Sequence, residues 1–331
     1  MVGFGAIAYG YGFKKGFLKQ FPIPTHYAAV KDNNKFDFDT VVDVNQQVLN
    51  YAQESLNVAY GVTHVRAVPD PESVEIVVLT CPPSVNKTDI LRAFPNLKGA
   101  VVEKPLGMDL TDSLELESFV EKNNIQAQVA YLRRSDDFLI GLQNDGLEGL
   151  IGSPIKADIT YGNGLRNNGS HLIDLVRMLL GDVDEIMFSR TTNVASTILK
   201  DDQNITSFFR LNSGVDVSIQ PVDFNYYREN SLDIWGTEGR LVLSQEGSYF
   251  QYWKVTKSRF GEDYKGEIDW ARPDEIGQTN LGYSLSKMYS NLLDSIEGNN
   301  SLLSPLSSAM KTESVILEII NMAGQASRTA P

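Results

Sequence analysis

Over roughly the first 131 residues, short apolar runs alternate with amphipathic stretches. The runs are "FDTVVDV" (38–44), "VEIVVLTCP" (74–82), "GAVVEKP" (99–105) and "IQAQVAYL" (125–132). Between them lie "NQQVLNYAQESL" (45–56), "VNKTDILRAF" (85–94) and "TDSLELESFVEKNN" (111–124), the last with apolar residues at Leu114, Leu116, Phe119 and Val120. Strand-like runs separated by helix-period segments predict βαβ units and a parallel sheet covered on both faces. Thr111 and Asp112 are the N-cap candidates of the third helical stretch.

From about residue 150 the rhythm changes. One helical stretch, "SHLIDLVRMLLG" (170–181), precedes the strand-like runs "EIMFSR", "ITSFFRL", "VDVSIQPV", "SLDIWG" and "GRLVLSQ". Consecutive strands with turn signals between them predict an antiparallel sheet. Two late segments, 281–298 and 307–326, read as helices. The predicted fold class is α/β: an N-terminal doubly wound parallel sheet, then a C-terminal α+β domain with an open, mainly antiparallel sheet. The boundary is expected at 131/132, with the last helix packing back on the first domain.

Composition narrows the function classes. A chain of 331 residues exceeds what one core usually organises, which agrees with two domains. A net charge of −13 argues against nucleic acid, whose phosphates need a basic surface. No apolar run reaches the roughly 18 residues of a membrane helix, and no secretory leader pattern opens the chain. The single Cys81 has no internal partner for a disulfide, so a reducing cytoplasm is the expected location. No metal site is expected.

The chain opens Gly3-Phe4-Gly5-Ala6-Ile7-Ala8, a Gly-x-Gly-x-x-Ala pattern. In the dinucleotide fingerprint the first glycine makes the turn, the second admits a pyrophosphate, and the small third residue lets helix pack on strand. Asp43 closes the strand "TVVDV". A carboxylate there hydrogen-bonds the ribose hydroxyls of NAD and repels the 2′-phosphate of NADP. An ordinary turn and a solvated aspartate are the alternative. The interval from Ala8 to Asp43 exceeds the usual spacing of about 20 residues. The excess points to an insertion over 9–24, ahead of the helix-like "THYAAVKDN". Only Met1 and Val2 precede Gly3, so either the first strand is very short or the natural chain starts upstream.

Lys104 ends the third run, directly before Pro105, which cannot continue a ladder. Ligands of open parallel sheets bind outside the carboxyl ends of the strands. A lysine there, in a partly dry site beside a cationic ring, can exchange protons near neutral pH. Glu103 is expected to hold the strand end or the lysine. A lysine snorkelling at a strand edge is the plainer alternative.

Glu103-Lys104-Pro105 resembles the Glu-Lys-Pro signature of the Gfo/Idh/MocA family (glucose–fructose oxidoreductase, inositol dehydrogenase, rhizopine catabolism). The resemblance extends over most of the chain through the Gly3–Ala8 opening, Asp43, "TCPP" (80–83), "LIGSPI" (150–155), "NGSHLIDL" (168–175) and "GTEGRL" (236–241). It implies a Rossmann domain, an open antiparallel sheet, a nicotinamide cofactor (NAD before NADP), and oxidation or reduction of a sugar hydroxyl or carbonyl. It places Cys81, Pro82 and Pro83 in a loop over the cofactor, with Glu103 and Lys104 beside it; Asn86 departs from the histidine the family often has near there and is expected still to donate to the cofactor.

The same resemblance makes His171 the residue that hydrogen-bonds the reacting hydroxyl, with Lys104 its catalytic companion. Four residues earlier the family usually has aspartate; here Asn167 can hydrogen-bond but cannot take a proton. Asp174, three residues beyond His171, is expected on the same helix face. Tyr161 and Arg166 are expected to line the sugar pocket. Arg133 follows the last run of the first domain, where an arginine fork suits phosphate or carboxylate; a solvated Arg133–Arg134 pair is the alternative. The implied partners are a small sugar-type substrate and a second copy of the chain, as homodimer or homotetramer. Two other readings stay open: an NAD-dependent glycosidase of the same fold, and a non-catalytic cofactor-sensing regulator.

Overall fold

The structure of the protein, a computed structural model, describes residues 1–13, 19–194, 197–199, 201–269 and 271–329. Part of the expected insertion, 14–18, lies outside the described residues. The chain forms two compact units, Met1–Ser135 with Gly282–Lys311, and Asp136–Leu281 with Thr312–Pro331.

In the first unit five parallel strands appear in chain order: β1 (Thr40–Val42), β2 (Tyr60–Val62), β3 (Ile76–Leu79), β4 (Gly99–Val102) and β5 (Gln126–Val129). β1 pairs with β2, while β3, β4 and β5 form a second ladder. Val2 joins the two, bridging Val42 on one side and Leu79 on the other. The expected first strand is thus one residue of ladder: Val2 N donates to Val78 O (2.8 Å) and Gly3 N to Val42 O (2.8 Å).

The helices of this unit are α1 (His26–Asp32), α2 (Gln46–Leu56), α3 (Lys87–Leu91) and α4 (Leu110–Lys122). α4 starts earlier than Thr111/Asp112 suggest. Asp109 is its N-cap, its carboxylate accepting from Thr111 N (2.8 Å) and Asp112 N (3.2 Å). Asp112 instead accepts from Met108 N (2.9 Å), the residue before the cap. Two apolar clusters cover the sheet. Ala100, Val102 and Val129 pack with Leu91 and Leu116 on one face; Val41, Val78 and Val101 pack with Ala29 and Leu292 on the other.

Gly282–Lys311 returns to this unit, where a boundary at 131/132 would give it to the second. α8 (Ser284–Ile296) buries Leu285, Met288, Tyr289 and Leu292 in the first unit's core. Gln128, fully buried on β5, donates to Met288 O (2.9 Å) and Asn291 Oδ1 (2.8 Å) and accepts from Ser304 N (3.1 Å). An apolar helix face and a buried amide on the strand below it explain the return. The last helix, α9 (Leu306–Thr329), contributes Leu306, Ala309 and Met310 to the first unit's core, and Ile316, Ile319 and Ala323 to the second's.

The second unit opens with α5 (Asp137–Gly141), a π-helical turn (Leu142–Gly146) and α6 (Leu147–Ile151). Then come β6 (Pro154–Tyr161), α7 (Ser170–Leu180), β7 (Val183–Thr191), β8 (Ile205–Leu211), β9 (Asp216–Pro221), β10 (Ser231–Gly236), β11 (Gly239–Ser244), β12 (Tyr249–Thr256), β13 (Glu267–Ile268) and β14 (Glu275–Gln278). Among the described residues the sheet runs β13-β12-β11-β10-β6-β9-β8-β7, with β14 also on β12. It is antiparallel except for β6 and β9, which are parallel. Alternation in β8 sends Ile205, Phe209 and Leu211 inward against Leu172, Val176 and Ile319. The opposite face carries Phe188 and Phe208 directly across from each other, both exposed.

Candidate active site

The candidate residues divide between the two units. In the first, the Gly-rich turn and Asp43 are coupled. Phe4 N donates to Asp43 Oδ2 (2.7 Å) and Asn45 N to Oδ1 (2.8 Å). Each carboxylate oxygen keeps a further lone pair for a ribose hydroxyl. Gly3 has φ +81°, and a Cβ there would stand 2.8 Å from Cys81 N, so glycine alone suits this crossing of the β3 end. Gly5 and Ala6 are exposed, and the space a Gly5 Cβ would occupy is open. These residues fit the close approach of a pyrophosphate. The helix expected behind them is short. Tyr9 N returns to Gly5 O (3.0 Å), after which the chain passes into the 3₁₀ turn Gly10–Phe13. Gly10 and Gly12, each about 1 kcal/mol worse than alanine in a helix, account for the break.

The loop after β3 sits against the same turn. Thr80 Oγ1 donates to Val2 O (3.1 Å) and Gly3 O. Cys81 is buried, and burial pushes its thiol up, so it stays protonated near neutral pH. Pro82 is exposed and Pro83 half-buried. Asn86, expected over the cofactor, instead caps α3: its Oδ1 accepts from Asp89 N (2.9 Å) and its Nδ2 donates to Glu115 (3.3 Å).

Lys104 stands two residues beyond the end of β4, half-buried, and the Lys104–Pro105 peptide is cis. Glu103, expected to hold the strand end or the lysine, faces α1. Its Oε1 meets His26 Nε2 at 2.9 Å, and His26 Nδ1 meets Tyr289 Oη at 2.8 Å. Neither His26 nor Tyr289 was a sequence candidate. Arg133 and Arg134, in the 3₁₀ turn Leu132–Ser135 after β5, are 6% and 9% exposed, which removes the solvated-pair alternative.

In the second unit a π-helical turn, Leu165–Gly169, leads directly into α7. Such turns recur at functional sites. Asp202 holds this segment: it accepts from Arg166 N (3.0 Å), Asn167 N (2.9 Å) and Gln203 N (2.8 Å). Burial pushes its carboxyl up, against the downward pull of those three donors. Gly164, with φ +99°, leaves room for that carboxylate, which a Cβ would strike. Asn167 Nδ2 donates to Asn163 O (3.2 Å), and His171 is half-buried in the first turn of α7. Sequence reading found Arg166, Asn167 and His171 but not Asp202.

Two expected substrate ligands are structural. Tyr161 is fully buried; its hydroxyl donates to Ile205 O (2.8 Å) and accepts from Ile205 N (2.7 Å). Asp174 is 1% exposed and accepts from Thr312 Oγ1 (3.0 Å). Arg177 Nη1 stands 3.7 Å from the same carboxylate, while Nη2 donates to Asp182 (2.7 Å). The residue on α7 three beyond His171 thus faces the core.

Residues 153–242 match the model of the GFO/IDH/MocA C-terminal domain. Inositol 2-dehydrogenase of Streptomyces avermitilis is 25% identical over 242 residues, 65% of this chain and 70% of that protein. Inositol 2-dehydrogenase 1 of Mycolicibacterium vanbaalenii is 28% identical over 274 residues, 72% and 78% of the two chains. The chain is thus similar to proteins of the Gfo/Idh/MocA family. An oxidoreductase of Agrobacterium radiobacter, solved with NAD+, L-tartaric acid and magnesium, has the same fold: TM-score 0.72, 16% identity, coverage 98% of this chain and 95% of that one.

Against the Gfo/Idh/MocA pattern, the chain keeps the Gly-rich turn, the acid after β1, the Glu-Lys-Pro strand end and the histidine on α7. It departs at Asn167 and Asn86. No helix among the described residues is long and apolar enough to cross a membrane. Among the same residues no group of three or more His, Cys, Asp and Glu side chains is placed to hold a metal ion.

Proposed function

We propose that the chain is an NAD-dependent oxidoreductase acting on a CH–OH carbon of a sugar, sugar derivative or cyclic polyol. The observation that carries this reading is the hydrogen bond from Phe4 N to Asp43, which ties the pyrophosphate turn to the ribose-reading acid in one piece. The inositol dehydrogenases among the relatives favour a polyol. Nicotinamide, when bound, supplies the acceptor for the hydride leaving the substrate carbon.

The chain's residues then handle the proton and the charge. Lys104 and His171 are the acid–base groups: one takes the hydroxyl proton, and the lysine's charge stabilises the developing alkoxide. Asn167 anchors a hydroxyl without titrating. Arg133 suits a carboxylate or phosphate on the substrate, and Arg166 a neighbouring polar group. A screen of inositols, hexoses, uronic acids and nucleotide sugars for NADH formation tests the reading. Saturable NADH production with one of them supports it; cofactor binding without turnover on any of them contradicts it and favours the regulator. Asn167, where relatives usually have an acid, is the observation that keeps the regulator in view. Release of free sugar with no net NADH identifies the glycosidase.

Asp43 sets the cofactor preference. NAD is expected to bind at least about tenfold more tightly than NADP, the scale of one lost charge-assisted contact plus repulsion of a phosphate. In Asp43→Ala the gap narrows, because NAD loses an acceptor and NADP loses a like charge. Fluorescence titration of both reduced cofactors checks this; equal or tighter NADP binding by the wild type refutes it.

The chain is also proposed to associate as a homodimer or homotetramer through the outer face of the second unit's sheet. The Phe188–Phe208 pair supports this, as does Arg240, which forks onto Asp233 (2.8 and 2.6 Å) beside the Trp235 ring. Flat sheet faces with aromatic anchors suit isologous contacts. Light scattering should give at least twice the 36.7 kDa chain mass. A monomer at every concentration refutes it, and Phe208→Glu should weaken the assembly.

A further inference from the structure

We propose that His26 and Lys87 are positioning residues that clamp the Glu103-Lys104-Pro105 turn from two helices and so set where the Lys104 amine stands. The proposal rests on the reading of Lys104 as an acid–base group.

Alternation along β4 explains the arrangement. Ala100 and Val102 lie in the cluster with α3 and α4, and Val101 in the cluster with α1 and α8. Glu103 continues the second set and points its carboxylate at α1. There His26, wholly buried, contacts Glu103 through Nε2 (2.9 Å) and Tyr289 through Nδ1 (2.8 Å). Burial pushes the Tyr289 phenol well up, so it keeps its proton and stays a hydrogen-bonding partner for Nδ1, while Nε2 faces the Glu103 carboxylate.

Lys87 acts from α3. It is 3% exposed, and its Nζ donates to Pro105 O at 3.1 Å. Two buried polar side chains therefore converge on the residues directly before and after Lys104. Leucine or methionine would fill either place without the desolvation cost that histidine and lysine carry. What the polar groups add is direction: hydrogen bonds fix the turn along two lines, where apolar packing leaves it free to slide. The adjacent opposite charges of Glu103 and Lys104 thus have separate tasks, the glutamate as an anchor and the lysine as the group being held.

His26→Leu and Lys87→Met remove the polar contacts at similar volume. Turnover is followed on the polyol giving fastest NADH formation, and NADH affinity by fluorescence. The rate at which an acetylating N-hydroxysuccinimide ester labels Lys104 is read by mass spectrometry. Both variants should lose about 10- to 100-fold in kcat, the cost of misplacing a reacting group by about 1 Å, with KM and NADH affinity within about threefold. Lys104 labelling should change by at least about threefold in each, and His26→Gln, which keeps a donor for Glu103, should recover most of the kcat. Tyr289→Phe deletes one oxygen and should lower kcat by about three- to tenfold even if His26→Leu does not fold. If folded variants keep kcat and Lys104 labelling within about twofold of wild type, the clamp is wrong. Full turnover in Lys104→Ala contradicts the reading of Lys104 instead, and the labelling rates then decide the clamp by themselves.

Discussion

Lys104→Ala is expected to lower turnover by roughly 10²–10⁴, the usual contribution of a positioned acid–base group, while NADH still binds. The loss follows from what a hydride step requires. Oxidation at a CH–OH carbon completes only if the hydroxyl proton leaves, and the lysine also offsets negative charge on that oxygen. His171→Ala is expected to lose a similar amount. Asn167→Asp is the sharper comparison, because it restores the usual family acid at a nearly isosteric position. Its backbone is held by Asp202 whichever side chain is present, so the segment should keep its shape. The variant should stay active and gain one ionisation in its pH–rate profile. An unchanged profile, together with full activity in Lys104→Ala, would put the regulator reading ahead.

The second large effect is on stability. Asp174→Ala should cost about 3–5 kcal/mol, as expected when one partner of a buried ionic network is removed. The substitution takes a carboxylate from beside Arg177, itself 3% exposed in its side chain, and deprives Thr312 of its acceptor. Tyr161→Phe should cost about 1–3 kcal/mol, because the amide and carbonyl of Ile205 both lose a buried partner. Urea unfolding measures both. Turnover per folded molecule should stay close to wild type in Tyr161→Phe. A large rise in KM with unchanged stability would instead return Tyr161 to the substrate pocket.

The parts of this fold that local pattern controls were legible. The β3 and β4 runs, the alternation of "ITSFFRL" and the periodicity of "SHLIDLVRMLLG" each correspond to an element. β2 was not, because "YGV" is three partly exposed residues interrupted by glycine. β12 is not legible by period either, because "YFQYWKVT" sets aromatic residues in adjacent pairs rather than alternating them with polar ones. The candidate site followed the same division. Lys104 and His171 stand in motifs that read locally. His26 does not: its partners are 77 and 263 residues away, and nothing in "THYAAVKDN" announces them. Asp202 reaches back 35 residues to Asn167 from a loop without a pattern. Asp174 and Tyr161 were placed in the pocket because a three-residue spacing and nearness in sequence to Asn167 say nothing about which face a neighbouring helix or strand will cover.

Direct hydride transfer is the central claim, and isotope transfer tests it most directly. The enzyme is incubated with NAD+ and a panel of perdeuterated inositols and hexoses, and the reduced cofactor is examined by proton NMR at nicotinamide C4. The account predicts deuterium at one face of C4 with at least one polyol, and none in Lys104→Ala over the same interval. Bound cofactor that acquires no deuterium from any of them would contradict it.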